Sequence, residues 1–341
     1  MAWAVGTMAT PTLAGMARSP FTLAALAAAA VPCLTAAGVA PLRVDDFDAA
    51  VVSTTDGREL LVRLPRSRQA DTRIRAELAG LAALTSGARS RLPFDVLRPE
   101  GAVAYGPTRA VVTNHPDGVP VGLDDLAGRE RLGAAIGRAI AETHRLPSTV
   151  VTDAGLPVAG PAESQRLAAS IVSRAEATGL LPAVVEARWR AALDDAELWQ
   201  FQPTVVGGFD AESFHVDGDE VVTVTGWHGL SIGDPASDLA WLSQDERAAD
   251  AVFAGYAAVI GGGDRRLRGR AAFFAELELA RWLLHGQDLR DQAIVDDAVD
   301  MLTTLAERVH GRRTARIEAQ TAPVLTLGEV EDLLEQTRRA V

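Results

Sequence analysis

Ile232-Gly233-Asp234-Pro235-Ala236-Ser237-Asp238-Leu239-Ala240 is the stretch whose reading decides the fold. It stands where the chain changes character. Before it lies a compact β-rich passage, 204–227, in which Asp217-Gly218-Asp219 reads as a hairpin turn. After it the pattern is helical, at about 235–261, 265–286 and 291–310. Gly261-Gly262-Gly263 falls between two of these helices as a turn. It lacks the preceding strand and following lysine of a phosphate-cradling loop.

Towards the N-terminus, 182–197, 161–178 and 127–145 read as three more helices. Asn114-His115-Pro116-Asp117-Gly118 breaks the pattern and reads as a linker. On its far side the chain is β-rich. Phe47–Ser53 and Glu59–Leu64 flank a Thr55-Asp56-Gly57 turn, Asp-Gly being a strong hairpin signal. A helix over 70–85 places Ile74, Leu78, Leu81 and Leu84 on one face, and strands at Ala102–Tyr105 and Arg109–Thr113 follow. The order is a small β-rich lobe, a hinge, and a helical lobe carrying a β-hairpin in its middle, an α+β two-lobe plan. The expected divisions are an N-lobe over 16–114, a helical C-lobe over 115–310, and a linker with a last helix over 311–341. Thr326 caps that helix, with Glu329 in the capping-box position.

Met16 reads as a better start than Met1, which leaves residues 1–15 as a mis-called start or a disordered stretch. The uncharged run from Phe21 to Pro32 behind Arg18 has two readings. One is a helix of the fold, with Ser19 as its N-cap and Pro20 in its first position. The other is a leader-like apolar segment. It is too short to span a bilayer, and no later stretch reaches about 20 apolar residues, so no membrane partner is expected. Acidic residues number 45 against 33 basic ones, for a net charge of −12, and every basic residue is arginine. Phosphate attraction dominates nucleic-acid binding, so this charge argues against a general nucleic-acid binder. The single cysteine, Cys33, allows no internal disulfide and fits a reducing, cytoplasmic location. No Cys/His spacing suggests zinc, and no nucleophile elbow is present.

The pattern Gly233-Asp234-Pro235 followed by Asp238-Leu239-Ala240, after a tryptophan-bearing strand, resembles the aminoglycoside and macrolide phosphotransferase family. Three further matches extend the resemblance over roughly residues 18–310. Leu61-Val62-Arg63-Leu64-Pro65-Arg66 is similar to the strand that carries the family's nucleotide-contacting basic residue. Glu77 falls on the next helix, where the family places the acidic partner. Ile136-Gly137 through Thr143-His144 is similar to the helix preceding the catalytic region. The resemblance implies a two-lobed protein-kinase-like fold with ATP as the candidate cofactor. Arg63, Glu77, Thr113 and Asn114 then become nucleotide-binding candidates. It also implies that Asp234 and Asp238 are structural, accepting backbone N–H bonds that hold the catalytic loop.

The same resemblance exposes a gap. Phosphoryl transfer needs positioned phosphates, Mg²⁺, and a carboxylate near the attacking hydroxyl. In this family a loop of pattern H-G-D-x-x-x-x-N supplies the carboxylate and one metal ligand, and the Asp of a following "IDW" strand supplies another. Here the loop runs from Val206 to Ser213, and the strand reads Thr225-Gly226-Trp227. Gly208 stands for the catalytic Asp, Ser213 for the metal-binding Asn and Gly226 for the second metal Asp. Two glycines offer no side chain, and a hydroxyl is a weak Mg²⁺ ligand, so Mg²⁺ is not expected.

Three readings follow. One is a degenerate phosphotransferase, a pseudokinase that keeps its cleft for a nucleotide, small ligand or partner. Another is an active small-molecule kinase with a rebuilt site that uses Asp210, Glu212 or His228, where Asp210 and His228 form a nonstandard metal site. The third is a protein-interaction module. His144 reads as packing at a helix end, and His285 and His310 as helix-surface residues. Arg265, Arg266, Arg268 and Arg270 read as a solvated face or one meeting an acidic patch.

Overall fold

The structure is a computed structural model that describes residues 18–44 and 46–320. The expected features at 1–15 and around Thr326 lie outside that range. Helix α1 (Pro20–Ala30) is followed by strands β1 (Ala36–Val44), β2 (Phe47–Thr54) and β3 (Glu59–Pro65), helix α2 (Arg68–Ala83) and the short α3 (Ser86–Arg89). Strands β4 (Asp95–Val96), β5 (Pro99–Tyr105), β6 (Thr108–Asn114) and β7 (Val119–Pro120) come next. Helices α4 (Glu130–His144), α5 (Thr149–Thr152), α6 (Pro161–Glu176) and α7 (Ala183–Asp194) lead into β8 (Thr204–Val206), β9 (Phe214–Asp217), β10 (Glu220–Val224) and β11 (Ser231–Gly233). Helices α8 (Glu246–Ile260), α9 (Leu267–Leu289) and α10 (Gln292–Gln320) close the described chain.

The larger sheet runs β1-β2-β3-β6-β5, all antiparallel. Period-two alternation separates its faces. Ala50, Val52, Leu60, Val62, Leu64, Ala110 and Val112 pack on Leu23 and Ala27, the buried stripe of α1, and on Val31 just beyond it. Phe47 and Val111 face the other way, onto Ala70 and Ile74 of α2. Arg63 pairs with Val111 and Leu61 with Thr113, so Arg63 and Thr113 share this second face. Ser19 caps α1, its hydroxyl accepting from the Thr22 N–H, with Pro20 at the first helical position. The apolar run behind Arg18 is therefore a helix of the fold.

A second sheet, β4-β10-β9-β7, and the β8–β11 pair lie over α4. Leu132, Ile136 and Ile140 of α4 share a core with Phe214, Val224, Trp227 and Leu239.

Contacts divide the chain into two units: residues 18–164 with Trp199–Phe274, and Gln165–Leu198 with the chain from Ala275 onward. The first holds both sheets and the central helices. Within the second, Trp189 is fully buried and donates its indole N–H to Glu276, which also pairs with Arg188.

Two sequence expectations need correction, and one strand was missed. The stretch 235–261 is not one helix: Pro235–Gln244 is a 3-10 helix, and α8 begins at Glu246. The break is at Asp245, whose carboxylate accepts from the Arg247 and Ala248 N–H groups and starts a new helix. The linker expected from 311 is helical as far as Gln320, because α10 runs on unbroken. Strand β1 was not foreseen. Its Pro41 and Gly38 and its largely exposed side chains hide it in composition, and pairing with β2 makes it a strand.

Candidate functional site

Asp238 is the hub of the site. It is fully buried, and its carboxylate accepts from the backbone N–H groups of Gly207 (2.8 Å), Gly208 (2.7 Å) and Phe209 (3.3 Å). The loop between β8 and β9 is thus held from below by a charge-assisted fan of bonds. His144, at the end of α4, adds its Nε2 at 3.1 Å, and its Nδ1 lies 2.9 Å from the Tyr256 hydroxyl. Burial, with Asp238 nearby, pushes the Tyr256 hydroxyl above its ordinary range, so it stays an O–H donor. With Tyr256 donating to Nδ1, the Nε2 side of His144 faces Asp238 and completes a buried relay. The helix-end reading of His144 holds, with this supporting role added.

Asp234 does parallel work at the start of the 3-10 helix. Its carboxylate accepts from the Ala236 N–H at 2.9 Å and from Arg270 Nε at 2.7 Å. Burial raises its pKa, while the Arg270 guanidinium pulls it back. Of the two readings of the arginine cluster, Arg270 follows the second: it is fully buried and meets acidic groups, not solvent. It pairs with Asp234 and Asp264 and lies 4.8 Å from the centre of the Phe201 ring. The signal was available: Arg270 falls at helical spacing between Leu267 and the buried Ala271 and Phe273, inside the apolar stripe of α9.

Of the three positions in question, Gly208 and Ser213 lie in this loop and Gly226 follows β10. Gly208 has φ +77°, and a Cβ placed there would lie 2.9 Å from the Gly229 Cα. That neighbour is backbone and cannot swing aside. Gly226 has φ +79°, with a Cβ position 2.9 Å from Ser213 Oγ. Ser213 is buried, and its hydroxyl is used: it donates to Asp210 Oδ1 at 2.7 Å and accepts from the Asp210 N–H at 3.1 Å. Phe209, packed edge-on against Phe214 and Trp227, fastens the loop to the core.

The substitute carboxylates are placed as follows. Asp210 is an N-cap, its Oδ1 accepting from both the N–H and the hydroxyl of Ser213. Glu212 and His228 are exposed. Among the described residues no group of three or more His, Cys, Asp and Glu could hold a metal ion. Mg²⁺ does not fit here: of its two expected ligand positions, Gly226 has no side chain and Ser213 offers a hydroxyl committed to Asp210.

The nucleotide candidates fare differently. Arg63 and Glu77 form a two-pronged ion pair at 2.8 and 3.0 Å, both side chains largely buried. The sequence-stated partnership of strand and helix is therefore real. Thr113 is buried, with no partner for its hydroxyl. The Asn114 side chain is engaged with backbone, accepting from the Arg98 N–H and donating to the His115 carbonyl. Sequence reasoning passed over His215. It is the half-buried residue of β9 between the core residues Phe214 and Val216, and that alternation was its only signal.

The profile of a family described as the phosphotransferase enzyme family (APH) matches residues 41–274. No curated protein sequence matches the chain. Among solved structures, the apoenzyme of macrolide 2'-phosphotransferase MphH from Brachybacterium faecium is similar, with TM-score 0.70, 19% identity, and 83% of this chain and 98% of that chain covered. A macrolide 2'-phosphotransferase type I is 22% identical with TM-score 0.66, covering 86% and 99% of the two chains. The GDP complex of wild-type aminoglycoside 2'-phosphotransferase-IIIa gives TM-score 0.70 at 17% identity, covering 85% and 99%. At these identities the likeness is one of fold, the kinase-like fold of those proteins.

Proposed function

Because this chain belongs to the phosphotransferase enzyme family, we propose that it is a degenerate member, a pseudokinase that binds a small ligand or nucleotide in the cleft and does not transfer phosphoryl groups. The observation that carries the reading is the loop itself. Gly208 and Gly226 stand where the resemblance puts a base and a metal ligand, and each sits in a left-handed backbone conformation in which an added Cβ would lie 2.9 Å from a neighbour. A positioned base contributes about 10²–10⁴-fold, and a catalytic metal contributes several kcal/mol more. Losses within one site do not add, yet a loop without base or metal ligands is left with positioning alone.

A rebuilt active site is the competing account. It draws on Asp210, but that carboxylate is spent on the Ser213 N–H and hydroxyl. The intact Arg63–Glu77 pair supports retained binding, and related structures contain GDP. Cytoplasmic location belongs to this proposal and rests on the single cysteine. Among the described residues no helix is long and apolar enough to cross a membrane.

Calorimetric titration with ATP and GTP, in Mg²⁺ and again in EDTA, tests the reading. The expected result is affinity that differs by less than about threefold between the two conditions, since no residue is placed to hold the metal. Nucleotide binding that requires Mg²⁺ would count against it.

A further inference from the structure

A cavity of about 450 Å³ lies between two segments of the first unit: the end of α2 with α3, and the chain around α5. Small-molecule sites occupy about 300–1,000 Å³. Its apolar lining is small and aliphatic, with Ala83 and Ala88 on one side and Val150 on the other. No aromatic ring lines it, so it offers nothing on which a base or flat ring would stack.

Both walls are fixed from behind. Arg89 spends its guanidinium on the backbone carbonyls of Leu81, Leu84, Val96 and Leu97, at 2.7 to 3.1 Å. That pins the turn from α2 into α3. On the other side Leu146 and Val151 are buried in the core and hold α5 in place. The cavity is therefore preformed, and a ligand entering it has little ordering cost to offset.

The charges in the lining identify the ligand. Arg91, just beyond α3, belongs to one wall, and Asp153, just beyond α5, belongs to the other. Among the described residues neither side chain has a hydrogen bond or ion pair, and no other charged residue lines the cavity. An exposed charge alone is normally solvated and worth little. Here one cation and one anion face the same preformed space and are not spent on each other. An anionic ligand would meet Asp153, and a cationic one would meet Arg91. A ligand carrying both charges satisfies both. Thr85 adds a hydroxyl: its oxygen accepts from the Ala88 N–H at 3.4 Å, which leaves its proton free to donate.

We propose that this cavity binds a free zwitterion of dipeptide size with aliphatic side chains, Arg91 taking its carboxylate and Asp153 its ammonium group. A segment of a longer chain does not fit this description, because it brings at most one terminal charge. The site shares no residue with the Arg63–Glu77 pair or the Gly207–Ser213 loop, so its test stands whether or not the protein transfers phosphoryl groups.

The test titrates the full chain with alanyl-leucine, followed by ligand-observed NMR, beside two blocked forms. N-acetyl-alanyl-leucine lacks the ammonium group, and alanyl-leucinamide lacks the carboxylate. Alanyl-leucine is expected to bind, and each blocked form to bind about five- to tenfold more weakly. Arg91→Met should weaken alanyl-leucine by a similar factor and erase its advantage over the amide. Asp153→Asn should erase its advantage over the acetylated form. A structural role for either residue would not produce this matched loss of discrimination. Both side chains are exposed, so the variants should fold as wild type does. If one does not, the three-probe comparison on the wild type decides. No binding of alanyl-leucine, equal binding of the three probes, or unchanged discrimination in the folded variants would overturn the proposal.

Discussion

Asp234–Ala240 and the Gly207–Ser213 loop touch, yet their polar groups are used in opposite ways. In the first, each carboxylate is saturated. Asp238 accepts three backbone N–H groups and His144, and Asp234 accepts Ala236 and Arg270. In the second, Asp210 and Ser213 bond to each other, and Gly208, which the proposed reading puts in the place of a base, has no side chain. Holding a loop and reacting from it are separable tasks. Holding draws on backbone N–H groups that any sequence supplies, so it survives when the loop's side chains change. Reaction depends on the side chains, and in the proposed reading it is lost with them.

The comparison predicts a steep contrast in mutational cost. Asp238→Ala should have the largest effect. It strands three buried N–H groups and His144, and breaking such a buried charged network costs about 3–5 kcal/mol. Denaturant unfolding measures this directly. A variant as stable as wild type would mean that the loop is not held from below. Gly208→Asp comes next. It forces a side chain into a left-handed backbone facing the Gly229 backbone, so a loss of about 1–3 kcal/mol is expected, with no gain in ATP turnover. Restored turnover from this single change would show that the loop is vacant rather than rebuilt around glycine.

These two positions also mark how far the sequence was legible. Asp234 and Asp238 could be read because their motif is short, local and tied to one structural task. The Arg63–Glu77 pair could be read because β3 and α2 are consecutive and their order fixes who meets whom. The His144–Tyr256 bond joins residues far apart in the chain, and no periodicity announces it. Arg270 was hidden by company. Arg265, Arg266 and Arg268 are exposed, and the helical turn that buries Arg270 becomes decisive only once Asp234 and Asp264 are known to lie beneath it. The emptiness of Gly208 and Gly226 was visible in sequence, but the reason they resist refilling, a backbone approach and a committed serine hydroxyl, is tertiary.

Smaller effects sharpen the contrast. Asp210→Ala should cost about 1 kcal/mol, the value of a helix cap, and leave ligand binding unchanged. A larger loss of binding or turnover would return Asp210 to the rebuilt-site account. The smallest effect concerns pH and stability. The folded-state pKa of His215 lies below its unfolded value, so the unfolded chain takes up the proton first. The resulting loss of stability sets in as pH falls through about 6.5 and is complete below the folded pKa. His215→Leu should remove this part of the pH dependence of unfolding, and an unaltered profile would place the titration elsewhere.

Single-turnover assay of the purified full chain with ATP, and separately GTP, in Mg²⁺ and a panel of aminoglycoside and macrolide acceptors tests the central claim most directly. The account predicts no phosphorylated acceptor and no nucleotide hydrolysis above the protein-free control. Mg²⁺-dependent product that scales with protein concentration and disappears in an Arg63→Ala variant would contradict it.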